Sequence, residues 1–425
     1  CYLMSVAFDS NVNITVEIAF DSNPFDTSPS FTDISSYVRS FNTSRGRINE
    51  LGQFGAGRAT MILSNADNRF NPTNTSSPYY DSSAGKTKIQ PLKRVRVSAV
   101  YDSTTYRIFE GFLDKIPVSY PASGNDSVVT ITASDAFRIF RQADIQAKGF
   151  RLGLPGFSEI GQSTRLSFSP TTNELSSTRV TNILDAIGWP SDRRDINTGT
   201  LQVGNQAGTD NILTALQECE TAENAQFFVA KDGDVTFRNR DYRLSNTKAI
   251  NVQATFSNDG SNLPYADVGV SFDDEEIINI YEWSKESGTT QYTADADSVL
   301  NYGAFLSQKT TINVSDADVA SLIQQKVAET SQPQIRFDKL VVNPRQNTLL
   351  WNQALGREFG DRIKVKVVNP DSSSFEDEVL IESIQHNVSA LAQSWTWTLT
   401  LSPAGSSAWI LGQAKLGEGT RFAYA

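Results

Sequence analysis

The sequence predicts an α+β, β-dominant fold, in which two similar β-barrel-like domains flank a mixed α/β middle region. The first observation behind this prediction is a motif of three strand-like runs that starts at Arg94 and again at Arg362, 268 residues later. The runs are RVRVSAV, FEGFLDKIPV and VVTITASDA in the first copy, and RIKVKVV, EVLIESIQHNV and WTWTLTLSPA in the second. The second observation is that clear helix patterns occur only between the two copies.

Both copies close on a serine, one further residue and an alanine, at Ser134 and Ala136 and again at Ser402 and Ala404. A repeat this far apart excludes a short-period solenoid and indicates two related β-domains in one chain. Three such chains would present six similar surfaces, which favours a symmetry adaptor over an enzyme. The predicted bounds are 1–145 for the first β-barrel domain, 146–332 for the middle region with an inserted segment near 240–310, 333–403 for the second β-barrel domain and 404–425 for a C-terminal docking tail.

The first domain begins with VNITVEIAF at 12–20, which alternates between apolar and polar residues as a half-buried strand does. Segments 33–47 and 57–65 have the same strand character, and the glycines between them allow a tight or bulged connection. Segment 65–88 is rich in turn-forming residues. A loop of this length is commonly functional or interfacial.

The middle region has the signals of three helices. Ser177 and Asp210 are the predicted N-caps of the first two helices, and Ser315 with Asp318 forms a capping box for the third. FFVAKDGDVTFRN at 227–239 predicts a β-hairpin that turns at Asp-Gly. Two further runs predict strands, IINIYEWSKE at 277–286 in the middle region and RFDKLVVN at 336–343 at the start of the second β-barrel domain.

The composition limits the class of protein. Of 425 residues, 39% are hydrophobic and 20% are charged, which is typical of a globular chain. No apolar run approaches the ~18 residues of a membrane helix, so we expect no stable membrane insertion. The first residues lack a basic n-region, so a secretory signal is not expected, although a processed lipoprotein would also begin with a residue such as Cys1. The net charge of −11 disfavours tight, specific binding of nucleic acids.

The sequence nominates no catalytic, cofactor-binding or metal-binding residue. The single histidine, His386, shares a strand face with Ile384 and Val388, which predicts a half-buried, hydrogen-bonded imidazole rather than a catalytic base. Cys219 lies on the apolar stripe of a predicted helix, as a buried cysteine would. AGKT at 84–87 lacks the first glycine and the helix of a phosphate-binding loop.

Two groups of oxygen-bearing residues could in principle bind a cation, and in both the structural interpretation is favoured. Asp273, Asp274, Glu275 and Glu276 predict a solvated acidic edge, because successive strand residues point to opposite faces. Asp67, Asn68 and Asn71 predict Asx-turn capping. Two basic clusters predict polar faces or subunit contacts with acidic neighbours; they are Arg45, Arg47 and Arg58, and Lys86, Lys88, Lys93, Arg94 and Arg96.

An ordered set of segments resembles the minor tail proteins of long-tailed bacteriophages, of the kind similar to the baseplate hub. The longest is DISSYVRSFNTSRGRINELGQFGAGRATMILSNADNRFNP at 33–72. The other segments are YRIFEGFLDKIPVSY at 106–120, ILDAIGWPSDRRDI at 183–196, FFVAKDGDVTFRNR at 227–240, SFDDEEIINIYEWSKE at 271–286 and AWILGQAKLGEGTRFAY at 408–424. The match is weakest at 143–176 and 240–265.

The resemblance implies a non-enzymatic structural protein at the tail tip of a virion, assembled in the host cytoplasm. It implies a homotrimer whose two β-barrels per chain form a pseudo-sixfold ring that adapts the sixfold tail tube to a threefold tip. The implied partners are further copies of the chain, a tail tube or distal tail protein, a central fibre or spike protein and, as a further candidate, the tape measure protein. DNA would pass through the lumen. The alternatives are a receptor- or glycan-binding tail protein and a cell-envelope-degrading enzyme.

Overall fold

The computed structural model describes residues 7–9, 12–119, 126–142, 172–206, 211–272, 274, 276–390 and 392–404. The strands are β1 Ala7–Asp9, β2 Val12–Ile18, β3 Thr32–Asp33, β4 Val38–Gly46, β5 Gly55–Ser64, β6 Tyr80–Asp81, β7 Lys86–Thr87, β8 Arg94–Tyr101, β9 Thr104–Lys115, β10 Val118–Ser119, β11 Val128–Ser134, β12 Glu174–Leu175, β13 Arg194–Ile196, β14 Gln202–Val203, β15 Gln226–Val229, β16 Val235–Arg238, β17 Thr255–Ser257, β18 Asp267–Ser271, β19 Ile280–Lys285, β20 Gln291–Ala294, β21 Leu306–Thr311, β22 Arg336–Val342, β23 Arg362–Val368, β24 Ser374–Ser389 and β25 Ser394–Pro403. The helices are α1 Phe137–Gln142, α2 Ser176–Ala186, α3 Ile212–Glu223, α4 Tyr242–Ser245, α5 Thr247–Ile250, α6 Ala296–Tyr302, α7 Asp316–Thr330 and α8 Leu349–Gly356, with short 3-10 turns at Ser35–Tyr37, Ser191–Arg193 and Pro344–Gln346.

One sheet of 15 strands dominates the molecule, which confirms the β-dominant prediction. Its main path runs β1-β2-β8-β9-β11-β5-β4-β24-β25-β22-β18, with β3, β10, β17 and β23 paired beside this path. In the described residues the path is open at β1 and at β18 and does not close into a barrel. The β-barrels and the domain boundaries therefore stay predictions.

The strands of this sheet fall into two units with the same neighbour order. The first unit is β2-β8-β9-β11-β5-β4. The second unit is β17-β23-β24-β25-β22-β18. The units differ at their first pair, because β2 and β8 are antiparallel whereas β17 and β23 are parallel. The two copies of the sequence motif are the second, third and fourth strands of each unit.

The units join where β4 of the first pairs with the second half of β24, from Ser383 opposite Gly46 to Ser389 opposite Ser40. Gly46 has a φ of +117°, and a Cβ there would lie 2.3 Å from the Glu382 carbonyl oxygen. Only glycine therefore fits this close approach of the two backbones.

The apolar residues form two large clusters and a small one. One large cluster fills the first unit and is completed by Trp351 of α8 and Trp395 of β25. The other joins the inner face of the second unit to helices α1, α2, α3 and α8. The small cluster lies between α7 and β19, where Tyr281 and Trp283 pack against Val319 and Ile323. Helix α7, β19, β20, β21 and α6 are called the small module below.

The predicted helices are present, but their caps are only partly as expected. Ser315 caps α7, since its hydroxyl oxygen accepts from the Ala317 N–H at 3.1 Å. Ser177 is not an N-cap; it lies inside α2, and its hydroxyl accepts from the Gly199 N–H instead. Asn211 caps α3 by accepting from Thr214, and the predicted cap Asp210 lies outside the described residues.

The predicted hairpin and strands of the middle region are confirmed. Strands β15 and β16 pair antiparallel around a turn at Gly233, whose φ is +88°. Strand β13 adds to β16 in parallel, which makes a three-stranded sheet. The run at 277–286 contains β19, and the run at 336–343 contains β22. None of the helices in the described ranges is long and apolar enough to cross a membrane.

Candidate assembly surface

The equivalence of the two units extends to their side chains. Arg94 of β8 pairs with Glu110 of β9, and 268 residues later Arg362 of β23 pairs with Glu378 of β24, at 2.9 Å in the second unit. The backbone register agrees, because Arg94 lies opposite Phe112 and Arg362 lies opposite the residue 268 positions further, Leu380. The pairing of β8 with β9 thus matches that of β23 with β24 from Arg94 to Val97 and from Arg362 to Val365; beyond these residues a bulge at Ile108 shifts the first pair only.

A β-bulge is repeated at the same place. In the first unit the bulge skips Asp114, and in the second it skips Glu382. Each carboxylate accepts a hydrogen bond from a serine hydroxyl of the next strand, at 2.5 Å from Ser134 and at 2.7 Å from Ser402. A bulge leaves its extra residue out of the strand ladder, and the serine gives the displaced carboxylate a partner.

Glu382 is buried at the junction of the two units. It pairs with Arg47 at 2.6 Å and with Arg243 at 3.2 Å. Burial opposes ionisation of this carboxyl, but the two guanidinium groups outweigh it and hold the pKa of Glu382 below its usual range. An ionised network thus fixes the end of β4 against β24 and the middle region.

In the first basic cluster of the sequence, two arginines are buried and one is exposed to solvent. Arg45 is buried against Glu358 at 3.1 Å, and Arg47 against Glu382. Arg58 is exposed on β5. The acidic neighbours expected from the sequence are thus present for Arg45 and Arg47, and they belong to the same chain.

The second basic cluster also meets partners of its own chain. Arg96 pairs with Glu17 at 2.6 Å, and Lys88 with Asp21 at 2.6 Å. The Lys93 ammonium donates to the carbonyl of Ser22 at 3.0 Å. Arg94 pairs with Glu110, whereas Lys86 is exposed at the start of β7. Apart from Lys86, this cluster has partners in β2, in the segment that follows β2 and in β9.

His386 and Cys219 take structural roles, as expected, but the imidazole of His386 is buried and not half-buried as the sequence predicts. The Nδ1 atom of His386 accepts from the Trp395 indole N–H at 3.1 Å, and the imidazole is buried beside Ile384 and Val388. Burial, with the nearby positive charge of Arg45, lowers the pKa of His386 to about 3. Cys219 is fully buried in α3, and burial raises the pKa of its thiol.

The oxygen-rich loop residues form turns. Asp67 accepts from the Arg69 N–H at 3.3 Å, and Asn71 accepts from the Thr73 N–H at 3.0 Å. These contacts confirm Asx-turn capping. Within 65–80, a backbone N–H donates to the carbonyl three residues earlier at every third residue, which makes a ladder of five turns.

The remaining candidates are the acidic run at 273–276 and the AGKT segment, and the structure does not support a binding site at either. Asp273 and Glu275 lie outside the described residues, and Glu276 pairs with Arg336. The AGKT segment leads into the short strand β7 and not into a helix. Among the residues that the structure describes, no group of three His, Cys, Asp or Glu side chains could hold a metal ion.

The open end of the sheet at β18 carries exposed apolar side chains. Val270 is 45% exposed and Phe272 is 67% exposed; Ile335, just before the paired strand β22, is 58% exposed. In the described part of the chain, β18 pairs with β22 alone. An exposed strand edge with apolar side chains is a place where another chain adds a strand.

A second open edge lies at 115–119 in the first unit. Lys115 and β10 pair with β11 on one side, and the described residues provide no strand on the other side. The equivalent stretch of the second unit, Ser383–Asn387, is covered by β4. The open edges at β18 and 115–119 correspond to β4 and the first part of β24 after its bulge, which pair with each other within the chain.

The small module has an exposed apolar surface of its own. Tyr292 of β20 is 62% exposed, Leu300 of α6 84% and Leu306 of β21 51%. Tyr292 of β20 lies opposite Glu282 of β19 in the strand register. The side chain of Glu282 is on the face of β19 away from Tyr281 and Trp283. This face of the small sheet is therefore turned away from α7.

The sequence patterns above do not predict the bulge carboxylates or the open edges at β18 and 115–119. The bulge could have been found, because aligning the copies at an offset of 268 brings together Asp114 with Glu382 and Ser134 with Ser402. Nothing in the sequence shows that, among the described residues, β18 and 115–119 each have a partner strand on one side only, since strand pairing between distant segments is set by the tertiary structure.

The fold is similar to that of a solved tail protein. The tail protein from Neisseria meningitidis MC58 has a TM-score of 0.53 at 10% sequence identity, over 92% of this chain and 96% of that one. The 43 kDa tail protein of prophage MuSo2 from Shewanella oneidensis gives 0.48 at 13% identity, over 92% and 98% of the two chains. The prophage tail protein gp18 from Listeria monocytogenes EGD-e gives 0.46 at 11%, over 92% and 94%.

No protein-family model and no curated protein matches the sequence. The likeness to the Neisseria tail protein shows a shared fold, and it confirms at that level the resemblance to tail proteins found in the sequence.

Proposed function

We propose that this chain is a structural virion protein that forms the trimeric hub of a phage tail tip. The observation that carries the proposal is the equivalence of the two β units, which share neighbour order, the register at the start of the motif and a bulge with the same carboxylate–serine contact. Two equivalent units in one chain let a threefold assembly present six equivalent positions. That property suits an adaptor between a sixfold tail tube and a threefold tip.

In this hub, three chains contribute six units to one pseudo-sixfold ring, and each unit is a barrel-like segment of its wall. Such an obligate ring needs interfaces of about 2,000 Å² or more. The turn ladder of 65–80 lies in the 65–88 loop that we assign to the contact with the tail tube or distal tail protein. Its many internal hydrogen bonds would hold it in one shape for that contact.

The contact at the other end of the hub, with a central fibre or spike protein, is assigned to the small module. Its exposed residues Tyr292, Leu300 and Leu306 are the kind of apolar group that a stable partner covers. The module is an insertion between β18 and β22, two adjacent strands of the second unit. An insertion of this kind can vary without disturbing the ring.

The ring encloses the path of the DNA. A net charge of −11 keeps the chain from holding the phosphate backbone, so we expect the lumen to carry mostly acidic and Ser, Thr or Asn side chains. A lumen lined by basic and aromatic side chains in a structure of the assembly would contradict this part of the proposal.

The proposal is tested by the mass of the assembled protein. Multi-angle light scattering at micromolar concentration, alone and with the neighbouring tail proteins, should give three chains per particle. A stable monomer under both conditions would refute the hub. Binding of the isolated chain to a glycan array, without assembly, would instead support the receptor-binding alternative.

A further inference from the structure

We propose that in the assembled ring β18 of one chain pairs, antiparallel, with residues 115–119 of the next chain. This inference rests on the proposed function, because it takes a second copy of the chain as the partner. Beyond the proposed function, the inference names the two strand edges that meet and the register in which they pair. In this pairing, the junction between units within one chain, β4 with β24, is repeated between chains.

The first step is that β18 holds the place in the second unit that β4 holds in the first. In the first unit a row of paired residues runs Asn42, Thr60, Thr132, Lys115 across four strands. In the second unit the corresponding row runs Gly269, Lys339, Thr400, Ser383. Thr132 and Thr400 are 268 positions apart, and so are Lys115 and Ser383, as are all equivalent residues of the motif. The first members of the two rows therefore correspond too, so Gly269 is the equivalent of Asn42.

The second step is that the receiving edge is equivalent too. Within the chain, Asn42 of β4 lies opposite Asn387 of β24. The residue 268 positions before Asn387 is Ser119, in β10. Repeating the junction between chains therefore puts Gly269 of one chain opposite Ser119 of the next.

The third step is that this edge can accept a strand although it contains a proline. The Thr130 N–H of β11 donates to the carbonyl of Pro117 at 3.1 Å, so the backbone polar groups of Pro117 face β11. Residues of an antiparallel strand alternate in the side to which their polar groups point. Ile116 and Val118 thus present their N–H and C=O groups to the open edge, and the missing N–H of Pro117 does not interrupt it.

The fourth step is the match of the side chains. Counting from Gly269 opposite Ser119, Val270 comes opposite Val118, and Phe272 comes opposite Ile116. Val270 and Phe272 are exposed apolar residues in the single chain. The pairing gives both of them an apolar cross-strand neighbour, which stabilises antiparallel strands.

Disulfide cross-linking between separately purified variants tests the register. In a Cys1→Ser background, a Val118→Cys chain is mixed with a Val270→Cys chain, assembled and oxidised; the remaining cysteine, Cys219, is buried. We expect a covalent pair of the two different chains on a non-reducing gel. The matched control replaces Val270→Cys by Ser271→Cys, which lies on the opposite face of the same strand and should cross-link far less.

An association measurement supports the same contact independently. Phe272→Asp should weaken assembly by at least roughly tenfold, because it places a charge in an apolar contact. Leu349→Asp is the control, since Leu349 is similarly exposed but lies in helix α8 and on neither strand edge; it should leave assembly unchanged.

The outcomes separate the inference from the proposed function. A trimer that cross-links at Val118 and Val270 supports both. A trimer without this cross-link, or one that Phe272→Asp leaves intact, overturns the strand pairing and leaves the hub standing. A chain that stays monomeric at all concentrations and with its neighbours present overturns both.

Discussion

Asp114 and Glu382 occupy the same position in two equivalent strands, and each is the residue that a β-bulge leaves out of the ladder. Their surroundings differ. The side chain of Asp114 is 20% exposed and meets Arg138, whereas that of Glu382 is fully buried and is shared by Arg47 and Arg243. The repeat thus preserves the bulge geometry, while in the second unit alone the carboxylate also joins the two units.

This difference predicts unequal effects of two matched substitutions. Glu382→Gln removes the charge that compensates the buried Arg47, so it should lower the free energy of unfolding by about 3–5 kcal/mol. Asp114→Asn disrupts a partly exposed pair and should cost about 1 kcal/mol or less. Urea denaturation measures both values. An equal or larger loss in Asp114→Asn would show that the buried network does not stabilise the junction.

Glu220 predicts a pH dependence of stability. Burial raises the pKa of this carboxyl to about 7, and its Oε2 atom has no hydrogen-bond partner in the described residues. The folded state then holds a proton that the unfolded state releases, so this contribution to stability is present below the unfolded pKa and is lost as the pH rises towards 7. Between pH 5 and pH 8 the loss should be about 2–3 kcal/mol.

Glu220→Gln isolates this contribution, because the amide cannot ionise. The variant should lose about 2–3 kcal/mol less than the unmodified chain between pH 5 and pH 8. Other titrating groups are common to both proteins and cancel in the comparison. Urea denaturation of both proteins at pH 5 and at pH 8 measures the two losses of stability. Equal losses in the two proteins would mean that Glu220 is ionised in the folded state.

The single histidine gives a direct spectroscopic test. Since burial and nearby Arg45 lower the pKa of His386 to about 3, its imidazole should stay neutral from pH 8 to pH 5. Because Nδ1 accepts from the Trp395 indole, the proton should sit on Nε2. Nitrogen-15 chemical shifts of the one histidine report both properties. A titration midpoint near 6.5 would contradict the buried hydrogen bond.

Gly46 tests the close approach of the units. Gly46→Ala would put a Cβ 2.3 Å from the Glu382 carbonyl oxygen at a φ of +117°, so the chain should lose about 2–5 kcal/mol of stability from steric overlap and backbone strain. Gly303→Ala is the matched control, with a φ of +95° and no atom within 4 Å of the added Cβ. Its loss should be about 1–2 kcal/mol, from strain alone. Thermal unfolding of the two variants compares them.

Much of this fold could be predicted from local patterns. The repeat was visible because alternating apolar residues recur around Arg94 and Arg362, and strands β8 and β23 begin at these residues. The cap of α7 at Ser315 was visible because serine and acidic residues precede an apolar helix face. Ser177 failed as a cap, because its hydroxyl is used to accept from Gly199, a contact that no local pattern shows.

The relation between the units could not be predicted, because it depends on pairings between distant segments. Strand β4 meets β24 across more than 300 residues of chain, and Arg47 reaches Glu382 across 335. The open edge at β18 exists only because β22, and no other described strand, pairs with it. Such facts follow from the whole sheet and not from the periodicity of any one strand.

The most direct test of the central claim is a cryo-electron microscopy reconstruction of the assembled chain, viewed along the axis of the ring. The account predicts three chains whose two β units alternate around one ring at six equivalent positions. A reconstruction in which the second unit lies outside the ring of first units, or in which the symmetry is not threefold, would contradict it.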